Sequence, residues 1–260
     1  MRVRLFFHDK CFDGAASAAV FSRFYRAKVN PNAEFHYTGL AHRASQLFDE
    51  KDFDGDENAI VDFKYTSTPR LTWWFDHHQS AFLTPEDQQH FLRDRSGKKF
   101  FDPSYKSCTK FLATVARERF GFEARDMAEL VEWADIIDGA QYPDAPTAVR
   151  MEAPAMHLSL VIEASKDNRL LPRLIPMMAE MPLPAIAQDE KIQALFRPLY
   201  QRHLQSMDII RERAVFDRGV TFFDLTGQDL EGYSKFIPYY LFPQSVYSVS
   251  VSPSSFRTKI

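Results

Sequence analysis

The 260-residue chain gathers imidazoles, carboxylates and one thiol at a few points along its length. His8, Cys11 and Asp13 fall within six residues. Asp62 stands alone. Asp76, His77 and His78 are consecutive, and Asp135 and Asp138 close a later segment. Each taken singly has an ordinary explanation as a turn, a cap or a solvated helix face. Taken together, crowded carboxylates would raise one another's pKa values, and a divalent cation relieves that cost. Asp and His are suitable ligands for Mn, Mg, Zn or Fe. Two such ions about 3.5–4 Å apart can hold the attacking and leaving oxygens of a phosphoryl displacement, with a carboxylate between them.

For that chemistry the groups must meet in space, and the surrounding pattern says how. Residues 3–7, 59–63 and 71–75 are short, apolar and β-prone, and each runs into or ends on one of the groups. Residues 15–26 are Ala-rich and read as a helix, with a further strand at 34–38. Strands alternating with helices predict a parallel sheet, whose ligands bind beyond the carboxyl ends of the strands. Residues 79–105 are polar, carry Pro85 and Pro103, and read as loop. Residues 107–120, 124–138, 152–165 and 170–181 read as helices, with Pro182 and Pro184 closing that region. A long amphipathic helix follows over 189–213. After it come short β-like runs at 220–225, 237–242 and 246–251. The expected fold class is α/β, with a mainly parallel sheet flanked by helices over 1–183. A helical linker over 184–214 and a small, incomplete C-terminal β-rich piece over 215–260 complete it.

The balance of 32 basic and 35 acidic residues gives a net charge of −3, which carries no broad footprint for long duplex nucleic acid or an acidic membrane. Apolar residues make up 45% of the chain, enough for a sizeable core. Two cysteines rule out a disulfide scaffold and point to a reducing, cytoplasmic setting. No apolar run is long enough to span a membrane or to serve as a signal peptide.

Four motifs in order resemble those of the DHH phosphoesterase superfamily, in its exopolyphosphatase-like and oligoribonuclease-like branches. They are Phe7-His8-Asp9-Lys10-Cys11-Phe12-Asp13-Gly14, Val61-Asp62-Phe63, Phe75-Asp76-His77-His78 and Trp133-Ala134-Asp135-Ile136-Ile137-Asp138. The resemblance covers residues 1–145 well and the rest loosely. It implies a metal-dependent phosphohydrolase that uses a metal-activated water on a phosphodiester, phosphomonoester or phosphoanhydride. The substrate would be a small nucleotide, a short oligonucleotide or polyphosphate. By this resemblance His8 and Asp62 bind one metal. Asp13, Asp62, His77 and Asp135 bind the other, with Asp138 as the alternative to Asp135. His78 faces the substrate phosphate and Asp76 orients the histidines. One or two ions are implied, Mn first, with Zn, Fe or Mg as alternatives.

Two departures stand out. Cys11 occupies a position where many members have Asp. It is either a thiolate ligand, favouring softer metals, or a small buried thiol. No Gly follows Gly232, whereas many relatives carry a Gly-rich stretch in a C-terminal substrate-binding domain. The expectation is a truncated or reduced C-terminal piece, with unpaired strand edges that favour a homodimer. Ser107 opens a predicted helix, either as a plain N-cap or as a phosphate contact. A non-catalytic nucleotide- or metal-binding module with a degenerate site is the alternative function.

Overall fold

A computed structural model describes residues 1–41, 48–228, 230 and 232–252. Five strands, Arg2–His8 (β1), Glu34–Leu40 (β2), Glu57–Val61 (β3), Trp73–Asp76 (β4) and Lys99–Phe101 (β5), form an all-parallel sheet in the order β2-β1-β3-β4-β5. The first seven helices are Phe12–Lys28 (α1), Pro85–Arg93 (α2), Cys108–Phe120 (α3), Ala128–Asp138 (α4), Ala145–Val149 (α5), Pro154–Ala164 (α6) and Leu170–Glu180 (α7). Leu183–Ala187 (α8), Glu190–Arg213 (α9) and Ile237–Leu241 (α10) follow. Val215–Asp217 (β6), Val220–Asp224 (β7) and Tyr247–Val251 (β8) make a mixed three-stranded sheet. The α/β class, the parallel sheet with flanking helices and the small C-terminal sheet are as the sequence predicts.

The strands are nearly continuous apolar runs because the sheet is covered on both faces. Alternation sorts them. Val3, Leu5, Phe7, Ala59, Val61, Trp73 and Phe75 pack with the small residues of α1, while Phe6, Ile60 and Trp74 face a second cluster with Phe63 and Tyr65. The Ala-rich face of α1 brings that helix close to the sheet. At Gly14 the approach is tightest, since a Cβ there would collide with the backbone carbonyl of His8. The Asp13-Gly14 pair therefore seats the first turn of α1 directly on the end of β1.

Three expectations are corrected. Residues 79–105 contain α2 and the edge strand β5. Pro184 lies in the first turn of α8, where its missing N–H costs nothing. The run at 237–242 is instead mostly helix α10, Ile237–Leu241, again with Pro238 in the first turn. Helix α9 packs along α6, where Phe196 stacks on His157 with ring centroids 3.9 Å apart. Ala148, Val149, Met207, Ile210, Phe223 and Ile237 form one cluster that ties α5, α9 and α10 to the small sheet. The other face of that sheet exposes Val215, Phe222 and Val249, which are cross-strand neighbours. No helix among the described residues is long and apolar enough to cross a membrane.

Candidate metal centre

The chain steps from β1 to β2 on one side and then crosses back past β1 to β3 on the other, so the winding reverses at β1. Such a switch point opens a crevice at the carboxyl ends of the strands. His8 is the last residue of β1, Asp62 follows β3, and Asp76 ends β4. The register Phe7↔Val61 and Val61↔Phe75 places these three ends side by side. Asp13 enters from the first turn of α1, and Asp138 from the last residue of α4.

Asp62 lies at the middle of the group. Its backbone takes a left-handed conformation, φ 56°, which few residues adopt and Asp tolerates better than most. Its N–H donates to the Phe75 carbonyl at 2.9 Å, holding the turn. The side chain is only 1% exposed, and neither carboxylate oxygen has a hydrogen-bond partner among the described residues. Around it stand His77 Nε2 at 3.5 Å, His8 Nδ1 at 3.6 Å and His78 Nδ1 at 3.8 Å. These spacings are too long for hydrogen bonds and suit atoms ranged around common ions.

His77 donates from Nδ1 to the Tyr105 carbonyl at 3.1 Å, which turns Nε2 toward the carboxylates. Nε2 lies 3.4 Å from Asp138, 3.5 Å from Asp62 and 3.8 Å from Asp13. Asp76 is fully buried and fixes the two histidines. Its Oδ1 accepts from the His77 N–H at 2.8 Å, the His78 N–H at 3.2 Å and His78 Nδ1 at 2.7 Å. Asp13 is held by the start of α3. Its two oxygens accept from the Cys108 N–H at 2.7 Å and the Thr109 N–H at 3.0 Å. Sequence reasoning missed this clamp, since backbone donors leave no residue-type signal.

Three sets of ligand atoms each lie within 4.8 Å of one another: His8, Cys11 and Asp62; Asp62, His77 and His78; Asp13, His77 and Asp138. They join through Asp62 and His77. Donor types and the orphaned Asp62 oxygens fit divalent cations, and the middle set links the first, through Asp62, to the third, through His77.

Two sequence-predicted residues fall elsewhere. Asp135 turns to Lys110 Nζ at 2.7 Å and Ser107 Oγ at 3.2 Å, so the alternative, Asp138, is the acid that reaches the group. Ser107 is completely buried and N-caps α3, accepting from the Lys110 N–H at 3.2 Å. The N–H groups of that helix end that a phosphate would need are taken by Asp13. Of the two readings of Ser107, the geometry is that of the N-cap.

The electrostatics show the strain of so many acids in one place. Burial, then Asp62 and Asp138, push the Asp13 carboxyl well above the usual range. Burial and Asp62 lift Asp138 to about 6. Burial also opposes ionisation of Asp62, but the His77 and His8 imidazoles outweigh it and hold that carboxyl low. Burial works against charge on His77, yet Asp62 and Asp13 raise it to about 10. Asp76 raises His78. Burial, then Asp62, Asp13 and Asp138, push the Cys11 thiol up. Protonated histidine thus does for the carboxylates what a cation would do better.

The chain is an α/β protein with an acid- and histidine-lined crevice at the switch point of a parallel sheet, the architecture that the DHH resemblance implies. Its fold is shared with the pGpG-specific phosphodiesterase PggH from Vibrio cholerae, with a TM-score of 0.66 and 17% identity over 96% of this chain and 76% of that one. Manganese-bound exonuclease RecJ aligns over 96% of this chain and 75% of its own, with a TM-score of 0.42 and 14% identity. The sequence matches no family profile and no curated protein.

Proposed function

We propose that the chain is a metal-dependent phosphohydrolase of the DHH type, acting on a small nucleotide or short oligonucleotide. One observation carries the reading: ligand atoms from four distant segments are gathered around a buried Asp62, which two of the ligand sets share and whose oxygens have no hydrogen-bond partner among the described residues. Bound divalent ions, with manganese the first choice, would supply a nucleophilic water at neutral pH and charge neutralisation at phosphorus. Asp62 would bridge, with His8 and Cys11 on one side and Asp13, His77 and Asp138 on the other. The Tyr105 carbonyl and the amides of α3 would keep His77 and Asp13 in position. His78, tied through Nδ1 to Asp76, would direct its second ring nitrogen at a phosphate oxygen, and Asp76 would favour the protonated ring that donates there. The shared fold with a pGpG phosphodiesterase makes pGpG a sensible first substrate, beside other dinucleotides, short oligonucleotides, a nitrophenyl phosphodiester and polyphosphate.

The test is a hydrolysis panel with manganese, run on the chain and on Asp62→Asn, with bound metal measured by elemental analysis. Asn also accepts a left-handed backbone, so this variant removes charge without straining the turn. Metal-dependent release of phosphate or nucleotide by the chain alone supports the reading. Equal turnover and metal content in Asp62→Asn would refute it. Metal and nucleotide binding without turnover on any substrate would support the non-catalytic module instead.

A further inference from the structure

We propose that the two cation positions are chemically unequal. His8, Cys11 and Asp62 form a thiolate site for a borderline-soft ion, zinc or iron(II), while Asp13, His77 and Asp138 form a harder site for manganese or magnesium. The inference rests on the metal-dependent reading above and goes further, to which ion each position takes.

The two cysteines differ in what they can do. Cys108 is fully buried in the core at the start of α3, and its thiol donates to the Phe75 carbonyl at 3.4 Å. Cys11 is only partly buried. It occupies the N-cap position of α1, yet its side chain makes no capping hydrogen bond there. Its Sγ instead falls within 4.8 Å of ligand atoms of His8 and Asp62. The cysteine does not carry the site alone. Asp62 is almost wholly buried, and both its oxygens lack partners among the described residues.

The ligand chemistry then separates the positions. One offers nitrogen, sulfur and oxygen; the other offers nitrogen and two carboxylates. Thiolate favours zinc and iron over manganese and magnesium, whereas a carboxylate-rich set suits the harder ions. Ligation breaks the S–H bond, forms the sulfur–metal bond and releases the thiol proton to solvent. A protein offered both kinds of ion would hold one of each. The two positions share no ligand, and Asp62 of the first lies 3.5 Å from His77 Nε2 of the second.

The experiment is an anaerobic titration of the full chain with cobalt(II), following the near-ultraviolet thiolate-to-cobalt charge-transfer band and counting bound cobalt by elemental analysis. The chain should bind cobalt with the band. Cys11→Ser should lose the band while still binding cobalt, and Cys108→Ala should keep it. Separate zinc and manganese titrations should show Cys11→Ser weakening zinc by about 100-fold or more and manganese by less than about threefold. Should Cys11→Ser fail to fold, alkylation of the unaltered chain decides. Zinc then protects Cys11 from iodoacetamide while magnesium does not, and equal protection or none overturns the proposal. Cobalt bound without the band, or the band surviving in Cys11→Ser, overturns the unequal-site proposal and leaves the metal-dependent reading standing. No cobalt bound at all refutes both.

Discussion

Removing Asp138 should make the metal-free protein more stable and the metal-loaded protein less so. Burial and Asp62 lift this carboxyl from the usual 3.8 to about 6. A group so raised holds its proton more tightly folded than unfolded, so folded protein loses stability as pH rises through that interval and stays penalised above it. At face value the penalty is about 3 kcal/mol. Asp138 is partly open to solvent, so screening reduces it to about 1 kcal/mol. Asp138→Asn, after exhaustive chelation, should therefore melt about 2–4 °C above the unaltered chain near pH 7.5 and at the same temperature near pH 4. Manganese at about a hundredfold excess over its dissociation constant should stabilise the unaltered chain by about 2.7 kcal/mol, and Asp138→Asn far less. Asp135→Asn, which loses the ion pair with Lys110 and keeps an acceptor for Ser107, should keep the metal response. The assay is thermal denaturation at the two pH values, with and without metal. A chelated Asp138→Asn that melts below the unaltered chain near pH 7.5 would refute the electrostatic reasoning. Loss of the metal response in Asp135→Asn with retention in Asp138→Asn would refute the choice of ligand.

Other substitutions probe the supports. Asp76→Asn should cost about 10–100-fold in metal affinity by titration with an unchanged circular dichroism spectrum, since Asp76 orients both histidines. Gly14→Ala gains helix propensity but drives a Cβ into the His8 carbonyl, so it should destabilise by about 2–3 kcal/mol in urea unfolding. Gly97→Ala, at φ 69° in open space, should cost only about 1 kcal/mol. Glu57 accepts from Trp73 Nε1, Tyr25 Oη and Lys98 Nζ, and these partners outweigh burial to lower its carboxyl. Its contribution is present above the usual 4.5 and disappears as pH falls through the lowered value. Glu57→Gln should thus lose about 1–2 kcal/mol at neutral pH and flatten the acid limb of the stability curve.

The gathering of His8, Asp13, Asp62 and His77 could be anticipated because strand ends in a parallel sheet share one edge, and apolar runs mark the strands. The choice between Asp135 and Asp138 could not. They sit three residues apart on one helix, and which one reaches His77 depends on how Lys110 of α3 meets α4. Ser107 was ambiguous for a similar reason: whether a helix end is open depends on a residue far away in sequence, here Asp13. Strand β5 is only three residues long and sits inside a polar stretch, below what periodicity can resolve. Residues 237–242 misled through their Tyr-rich, β-prone composition, although Pro238 was the signal for a helix start.

Asp13 joins the crevice to the first two amides of a thirteen-residue helix. Any change in what its carboxylate binds must alter how strongly those amides are held. Slow deuterium uptake at Cys108 and Thr109 would therefore serve as an internal gauge of occupancy, readable by mass spectrometry without a chromophore, a label or a known substrate.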